Sequence, residues 1–515
     1  MNIITNRIRD LTEKKIIVCM TVASVILSAW IMYIQRGWIT EDSVLYFEVA
    51  RLFAVGEWDK GFQLYGWPLY PALIALLHKL VGVGIQQAGQ IWNVLFFTLT
   101  TFSFLTLIRL AGGNKQVIFC GAALLFSTPY LVGDVLPMLL RDEGFWAFHL
   151  ASLGFLLNFY RNGEFKYALY WQLCIIIAML FRIEAFAYLL LAPLILLSNT
   201  TLPWRNRLSH YSKTQVFTLA SCVVLALLLA LSPTLQLRDL GRIQEFITTF
   251  PRLYMQLTEG LVMKSQLMGD LILGKYLDDY GMLSIVLALV SIVIVKVISA
   301  TGWATALILA MPQPEKLRHL NDEARKLIIW VVAIGVVTAF IIILNRFILS
   351  SRYLAPITFM LLMLGAFAMS NLLDYIKFKS SSLRAKQVLL ILVLIFISIN
   401  LIKNILPPKA DHNFEQIAVA WIKENSAPQR TTFISDAKLR YYAGKPYIGR
   451  DDPWKLTINA IRDQSIGGYD YLVLSLNGKN IEQQEYLSEV LTQHRLVKKF
   501  SRGPKKVVLI YQKIN

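Results

Sequence analysis

The 515-residue chain is too apolar for a set of soluble domains, because 56% of its residues are hydrophobic and only 16% are charged, against about 25% charged in an ordinary soluble domain. Its 51 Lys and Arg and 33 Asp and Glu give a net charge of +18. Cytoplasmic loops of membrane proteins collect basic residues, so this surplus does not by itself indicate nucleic-acid binding, and no nucleic-acid partner is expected.

Apolar runs taken in chain order predict a polytopic α-helical membrane protein with about eleven transmembrane helices. The first run, Ile16–Ile34, has 19 uncharged residues, which is long enough to cross ~30 Å of hydrocarbon. It is also longer than the core of a cleaved signal peptide, so we interpret it as an anchor that keeps the N-terminus in the cytoplasm. The spans are predicted at 15–35, 88–109, 116–133, 143–160, 167–182, 184–199, 214–232, 281–299, 327–345, 353–373 and 387–406.

The charges in the loops support this topology. The short loops counted as cytoplasmic carry clusters of Lys and Arg, as the positive-inside rule requires, at 109–115, 161–166, 205–213, 316–326 and 377–386. An odd number of spans that starts inside ends outside, so the C-terminal tail is predicted to be extracytoplasmic.

Three segments fall outside the bilayer on that side: 36–87, 233–280 and the tail from 407 to 515. The first contains Trp67-Pro68-Leu69-Tyr70-Pro71 and then a short apolar run, which fits an interfacial helix better than a crossing. The tail alternates predicted helices with predicted strands at Thr432–Ser435, Tyr469–Leu476 and Val507–Gln512. We therefore predict a membrane domain, 1–406, and a small soluble α/β domain, 407–515.

Glu41-Asp42 is the first acidic point and follows the first span directly. Thr40 is a good N-cap, and acids in the first turn of a helix are favoured by the helix dipole, so capping explains the pair. The helix would continue through Val44–Ala54. The same geometry holds an ionised carboxylate near the membrane surface, where it can serve as a general base. Composition leaves both interpretations open.

Arg141-Asp142-Glu143 is a second charged point, predicted on the same side of the membrane between the third and fourth spans. Three charges at a helix mouth are commonly solvated anchors. Two carboxylate pairs from separate loops can instead converge on one substrate or on a divalent cation such as Mg²⁺ or Mn²⁺. A metal is left open by these residues.

Further charges interrupt or end the apolar runs. Arg182 and Glu184 break one run, either as functional charges or as the tip of a hairpin at the water interface. Arg346 and Arg352-Tyr353 are predicted at the outer ends of the ninth and tenth spans, against the positive-inside bias. A lipid phosphate explains them, because guanidinium groups bind phosphate in bidentate geometry, and an interfacial anchor explains them equally.

The segment 39–82 resembles the first extracytoplasmic loop of the GT-C membrane glycosyltransferases, which include the protein O-mannosyltransferases and the lipid A aminoarabinose transferases. The resemblance rests on an acid after the first span, a Gly-x-Trp turn and a Pro-Leu-Tyr segment. Later matches are an acid before the fourth span, a charged break and an Arg-Tyr-Leu-x-Pro motif. In this sequence the matching positions are Asp42, Gly56–Trp58, Pro68–Tyr70, Asp142, Arg182 and Arg352–Pro356.

The resemblance implies an integral-membrane transferase that moves a hexosyl or pentosyl group from a polyprenyl-phosphate-linked donor to a lipid, glycan or protein hydroxyl. It assigns catalysis to Asp42 with Glu41, and a second acidic loop to Asp142 and Glu143. A Lys that precedes the Pro-Pro-Leu segment of aminoarabinose transferases is replaced here by Gly66-Trp67. Phosphate binding is therefore assigned to Arg182, Arg346, Arg352 and Tyr353, and the rest of the donor and acceptor pocket to Arg141, Glu184, Tyr65 and Trp67.

Two other functions remain open on the sequence. A transporter or flippase of lipid-linked sugars would suit many spans with charges among them, but no repeat symmetry is visible. An O-antigen polymerase or ligase would carry its essential groups in one large late loop, for which 233–280 is a partial candidate. The family analogy implies a bacterial inner membrane, with the reaction on the extracytoplasmic face and inversion at the sugar carbon.

Overall fold

The computed structural model describes residues 12–231, 242–311, 319–378, 384–407, 413–427, 429–449, 451–503 and 506–514. Within these ranges, six helices are long and apolar enough to cross a membrane, or seven if one pair of helices bent by 43° forms a single crossing. The six lie at 13–34, 85–110, 278–301, 322–346, 351–374 and 387–405, and the bent pair at 115–138.

The protein is thus a multi-pass helical membrane protein. Each predicted span coincides with a helix, but the number eleven is not confirmed, because the helix at 142–162 is less apolar and those at 165–181 and 185–198 are short. Several predicted features lie outside the described residues: the basic segment before residue 12, the start of loop 233–280, and parts of loops 316–326 and 377–386.

The helices of the membrane part fall into two series along the chain. Up to residue 231 they are α1 (Glu13–Ile34), α2 (Glu41–Ala54), α3 (Trp58–Leu64), α4 (Leu69–Val81), α5 (Ile85–Leu110), α6 (Lys115–Phe126), α7 (Asp142–Asn162), α8 (Phe165–Phe181), α9 (Ala185–Leu191), α10 (Trp204–Lys213) and α11 (Val216–Leu231). From residue 242 onward they are α12 (Arg242–Met255), α13 (Leu261–Leu267), α14 (Gly281–Thr301), α15 (Trp303–Ala310), α16 (Asp322–Arg346), α17 (Ala355–Phe378) and α18 (Arg384–Ile405).

Short π-helical and 3₁₀ segments join these helices. Two of them matter for the site, because Pro129–Met138 leads into α7 and Ser351–Leu354 leads into α17. The others are Ala192–Ser198, Gln256–Gly260, Met268–Leu273 and Asp278–Tyr280.

The core of the membrane part lies where α7 packs between α5 and α8, with α1 against α5. Large side chains fill it without exposure, among them Trp146, Trp171, Phe97, Phe104 and Phe181. Dense aromatic packing of this kind makes a rigid scaffold. The end of the bundle that carries Ile34, Asp142 and Arg346 is called the site end below.

The C-terminal region is a three-layer α/β unit. Its strands β1 (Thr432–Ile434), β2 (Tyr471–Leu476), β3 (His494–Arg502) and β4 (Lys506–Lys513) form a sheet in the order β1-β2-β4-β3. β1 and β2 are parallel and the other pairs antiparallel. Its helices are α19 (Phe414–Asn425), α20 (Ala437–Tyr442), α21 (Pro453–Arg462) and α22 (Ile481–Val490), with a 3₁₀ turn at Ser465–Gly468.

The three layers follow from the strands, because successive side chains of a strand point to opposite faces of the sheet. On β2, Tyr471 and Val473 pack in one apolar cluster with α19, whereas Leu472 and Leu474 pack in another with α22. When helices cover both faces of a sheet, its central strands are buried along their whole length. β2 is such a strand. The small α/β region is confirmed, and the predicted boundary at 406/407 stays a prediction. The sequence analysis missed β3, which lies at the edge of the sheet.

Candidate active site

The first predicted acidic point lies at the N-terminus of α2. Thr40 is the N-cap: its Oγ1 accepts the backbone N–H of Ser43 at 3.2 Å, and the Ser43 Oγ accepts the N–H of Thr40 at 3.2 Å. This reciprocal capping fixes the first turn, so the predicted capping role of Thr40 is confirmed. The Ser43 Oγ also donates to the carbonyl of Met138 at 2.5 Å, which ties α2 to the segment before α7.

Asp42 and Asp142 meet through Arg352. The Nη1 of Arg352 lies 3.0 Å from Oδ2 of Asp42 and 3.8 Å from Oδ2 of Asp142. Asp142 is buried with 1% of its side chain exposed, whereas Asp42 is 28% exposed. Three residues that are far apart in the sequence therefore form one cluster at the site end, and Asp42 is its accessible carboxylate.

Arg182 holds Asp142 from the other side. Its Nη1 donates to Oδ1 of Asp142, and its Nε and Nη2 donate to the two carboxylate oxygens of Glu184 at 3.2 and 3.1 Å. The ring of Tyr353 lies 4.8 Å from the guanidinium carbon. All three nitrogens of Arg182 are engaged, so this arginine positions Asp142 and has little capacity left for a ligand.

Arg141 differs from Arg182 in its hydrogen bonding. Its guanidinium carbon lies 5.7 Å from the centre of the Tyr65 ring. Among the described residues, its Nη1 has no hydrogen-bond partner, and neither has the Tyr65 hydroxyl, although both atoms are buried. Buried donors are normally paired, so this couple has free capacity for an oxygen-rich ligand.

Backbone strain shapes the approach to this cluster. Arg36, Leu139 and Phe347 adopt left-handed conformations, with φ of 50°, 53° and 50°, where a side chain other than glycine is disfavoured. Arg36 lies just before α2, Leu139 just before α7, and Phe347 just before Arg352. Such strain costs about 1–3 kcal/mol per residue and tends to gather at functional sites.

The remaining predicted site residues point elsewhere. Glu41 is 63% exposed and lies 3.8 Å from the Nζ of Lys506 in the C-terminal region. Glu143 is fully buried, and neither oxygen of its carboxylate has a partner among the described residues. The Trp67 indole donates to the carbonyl of Met179 at 3.0 Å, which is a packing role.

Arg346 lines a separate cavity beside the cluster. The cavity has a volume of about 150 Å³ and is otherwise mostly apolar; Glu184 and Tyr353 connect it to the cluster. Its other walls include Ile183, Ala187, Ile341 and Ile342.

The arrangement fits a divalent cation poorly. Mg²⁺ and Mn²⁺ prefer several oxygen ligands, whereas the guanidinium of Arg352 lies between Asp42 and Asp142 and Arg182 occupies the other side of Asp142. No group of three or more His, Cys, Asp or Glu suited to a metal occurs in the described ranges.

Sequence reasoning missed two contributions. The Ser43 hydroxyl joins the two acidic segments, and Lys506 of β4 reaches Glu41 from the C-terminal region. Neither has a signal in the sequence, because each depends on a contact between distant segments.

The solved structures that are similar to this chain include ArnT and AglB. ArnT from Cupriavidus metallidurans, in a crystal structure bound to undecaprenyl phosphate, matches with a TM-score of 0.53 and 14% sequence identity, over 96% of this chain and 97% of that one. The archaeal oligosaccharyltransferase AglB from Archaeoglobus fulgidus, in complex with an inhibitory peptide and a dolichol-phosphate, matches with a TM-score of 0.45 and 12% identity, over 97% of this chain and 74% of that one.

The likeness to ArnT extends over nearly the whole of both chains, and it is a likeness of fold. The chain therefore shares the fold of ArnT, which is the GT-C fold that the resemblance of its sequence implied. No protein-family model and no curated protein matches it.

Proposed function

We propose that the protein is an integral-membrane glycosyltransferase that moves a sugar from a polyprenyl-phosphate-linked donor to an acceptor hydroxyl. The observation that carries this proposal is the pairing of an accessible Asp42 with a buried Asp142 through Arg352, at 3.0 and 3.8 Å. The fold adds support, since ArnT was crystallised bound to undecaprenyl phosphate.

In the proposed reaction, Asp42 is the general base. Its partial exposure gives an acceptor hydroxyl access to the carboxylate, and the capped first turn of α2 fixes its position. Asp142 is too buried to meet an acceptor and acts as a positioning residue, because it orients Arg182 and Arg352. Glu41 faces Lys506, so its assignment to catalysis beside Asp42 has no geometric support.

The bonds change in one displacement. The acceptor oxygen forms a bond to the anomeric carbon while its proton passes to Asp42. The bond from that carbon to the phosphate oxygen breaks, and polyprenyl phosphate leaves with the electron pair. Attack opposite the leaving group inverts the anomeric centre, and holding both substrates in place supplies much of the rate.

Cations of the cluster would bind the leaving phosphate. Arg141 has a buried nitrogen without a partner among the described residues, and Arg352 meets the two aspartates through its Nη1. Guanidinium groups that face a developing phosphate charge lower the barrier electrostatically. The mostly apolar cavity at Arg346 and Tyr353 is a suitable exit for the first isoprene units toward the bilayer.

The proposal includes a location. The cluster would face the extracytoplasmic side of a bacterial inner membrane, with the N-terminus in the cytoplasm and the C-terminal region outside. The transferred group would be a hexosyl or pentosyl unit, and the acceptor a lipid, glycan or protein. Cysteine accessibility in cells, read at an exposed C-terminal position such as Lys479→Cys, tests the orientation.

The test is turnover of a labelled polyprenyl-phosphate sugar by the purified protein, with crude envelope extract as the acceptor source. We expect wild type to release free polyprenyl phosphate, and Asp42→Asn to lose at least ~10²-fold, as for a removed general base. Asp59→Asn, an exposed carboxylate on α3, is the matched control and should keep full activity. A parallel reaction with EDTA tests the divalent cation.

Other outcomes separate the alternatives. Movement of the lipid between leaflets without cleavage would make the protein a flippase. Equal cleavage by wild type and Asp42→Asn would reduce Asp42 to a helix cap.

A further inference from the structure

A groove separates α2 from the C-terminal region. It has a volume of about 440 Å³, within the ~300–1,000 Å³ of ordinary ligand sites. Its walls combine aromatic and charged side chains from both sides, namely Phe47, Glu48, Arg51, Tyr441, Lys445 and Tyr447.

The groove runs along α2, the helix whose first turn carries Asp42. Glu41, Val44, Glu48 and Arg51 follow a spacing of three, four and three residues, so they share one face of α2. The last three line the groove, and Glu41 begins the same face of the helix, where it pairs with Lys506 at 3.8 Å. At 1.5 Å per residue the stripe is ~15 Å long, and Asp42 directly follows Glu41.

The chemistry of the lining fits a carbohydrate. The partly exposed ring of Tyr441 offers apolar surface for the C–H face of a sugar ring, and the buried ring of Phe47 supports it from behind at 5.7 Å. Glu48 and Arg51 form an ion pair of 2.7 Å at the rim, and Lys445 is exposed there. A carboxylate and a guanidinium accept from and donate to neighbouring hydroxyls, which an acyl chain cannot use.

Polar contacts beside the groove tie the membrane part to the C-terminal region. The Tyr442 hydroxyl accepts the backbone N–H of Ile39 at 3.1 Å, and the Tyr441 hydroxyl donates to Oε1 of Gln86 at 3.3 Å. Lys506 adds the ion pair with Glu41. A site whose walls are fixed before binding loses less entropy when it is occupied.

We propose that this groove binds the carbohydrate portion of the acceptor and delivers its terminal hydroxyl to Asp42. The inference rests on the proposed transferase function and names the acceptor as a glycan. The C-terminal region thereby contributes half of an acceptor site through Tyr441, Lys445 and Tyr447.

The first experiment measures transfer and donor cleavage separately. The probe is the water-soluble oligosaccharide fraction released by mild acid from bacterial envelope glycan. We expect Lys445→Ala to raise the KM for this probe ~10-fold or more, as for a lost hydrogen bond to a charged group. Tyr441→Ala should also raise this KM, because it removes the ring on which the sugar packs. Acceptor-free cleavage of the donor should stay at the wild-type level. Tyr441→Phe keeps the ring and should recover most of the transfer.

Lys455→Ala is the matched control, because Lys455 is exposed on α21 and away from the groove lining. An unchanged KM in both groove variants would overturn the inference, and so would an equal loss of donor cleavage in either.

A second experiment does not depend on turnover. A cysteine at the rim, Lys445→Cys, is labelled with a charged maleimide, and the signal of the wild-type cysteines is subtracted. The oligosaccharide should slow labelling at least ~10-fold when present at ten times its Kd or more. Protection by a peptide digest of envelope protein alone would overturn the inference in favour of a protein acceptor, and no protection would also overturn it. If the donor is never cleaved but the glycan protects, the transferase proposal fails while the glycan site stands.

Discussion

Two clusters of charge, one in the membrane part and one in the C-terminal region, both pair carboxylates with basic side chains, but they differ in how far their polar groups are already used. The first joins Asp42 and Asp142 to arginines at the site end. The second joins Glu415 and Asp436 to lysines beneath the sheet. In both, buried carboxylates are neutralised by cations, as burial requires.

The C-terminal cluster is saturated. Glu415 is paired with Lys438 at 2.7 Å and with Lys506 at 3.1 Å. Asp436 caps α20 by accepting the backbone N–H groups of Lys438 and Leu439 at 2.8 and 3.2 Å. Burial opposes the charge of Lys506, but the neighbouring carboxylates more than offset it and raise the pKa of Lys506 above its ordinary value.

The membrane cluster keeps spare capacity. Asp42 is more than a quarter exposed, and Arg141 has a buried nitrogen without a partner among the described residues. Ion pairs alone therefore do not mark a functional site. What distinguishes the two clusters is polar capacity that the protein itself leaves unused.

The largest effect is expected from Asp142→Ala. It leaves Arg182 buried with one carboxylate partner fewer, and breaking a buried ion pair costs about 3–5 kcal/mol. We expect the free energy of unfolding in detergent to fall by that amount and turnover to be lost. Asp279→Ala, at an exposed carboxylate, is the control. Unchanged unfolding would contradict the view that Asp142 is a buried positioning residue.

Glu415→Ala tests the saturated cluster. The variant leaves Lys438, which is 10% exposed, without its carboxylate. We expect destabilisation at the low end of ~3–5 kcal/mol, because Lys506 retains Asp436 and water. Hydrogen exchange of the β4 amides measures it. Donor cleavage per folded molecule should change less than tenfold. A complete loss of cleavage in folded protein would show that the C-terminal cluster is also needed for activity, and would contradict a purely structural role for it.

Arg141→Gln tests the spare capacity directly. Removing a charged hydrogen bond to phosphate, worth about 1.5–3 kcal/mol, should raise the KM for the polyprenyl-phosphate sugar ~10- to 100-fold. Stability should hold, since Arg141 forms no ion pair with a described residue that would be broken. Arg205→Gln in an exposed basic segment should leave the KM unchanged. An unaffected KM in Arg141→Gln would remove Arg141 from the site.

The smallest effect is expected in the stability of the C-terminal region at low pH. The backbone N–H of Thr431, and then Arg430, hold the pKa of Asp470 down at about 2, below the ~3.9 of an unfolded aspartate. A lowered folded-state pKa adds stability that is fully present above pH ~4 and is lost as the pH falls through about 2. The melting difference between wild type and Asp470→Asn should therefore shrink between pH 6 and pH 2.5. A difference that grows on acidification would contradict this sign.

Much of the site end could be predicted from the sequence. The charge of the loops put Asp42, Asp142 and Arg352 on one side of the membrane, and the structure brings them together. The expectation that Glu41 acts together with Asp42, and Glu143 together with Asp142, has no support in the geometry. Successive residues on a helix point ~100° apart, so Glu41 turns to the C-terminal region and Glu143 into the bundle, away from Asp42 and Asp142.

There is also a physical reason why β3 was not predicted. β3 carries Lys498 and Lys499 and pairs only with β4, so its sequence lacks the apolar run of a buried strand. Lysines are common on edge strands because they prevent pairing with other chains. Propensity therefore found β1, β2 and β4 and overlooked β3, the edge strand that carries the lysines.

The bond between Arg352 and Asp42 joins residues 310 positions apart. During synthesis, most of the membrane part must leave the ribosome and enter the bilayer before the second partner exists. Until then the nascent chain holds its proposed base without the cation that orients it. A chain shortened before Arg352 would be a membrane protein without this centre, so a partial product of translation could not act on the lipid pool around it.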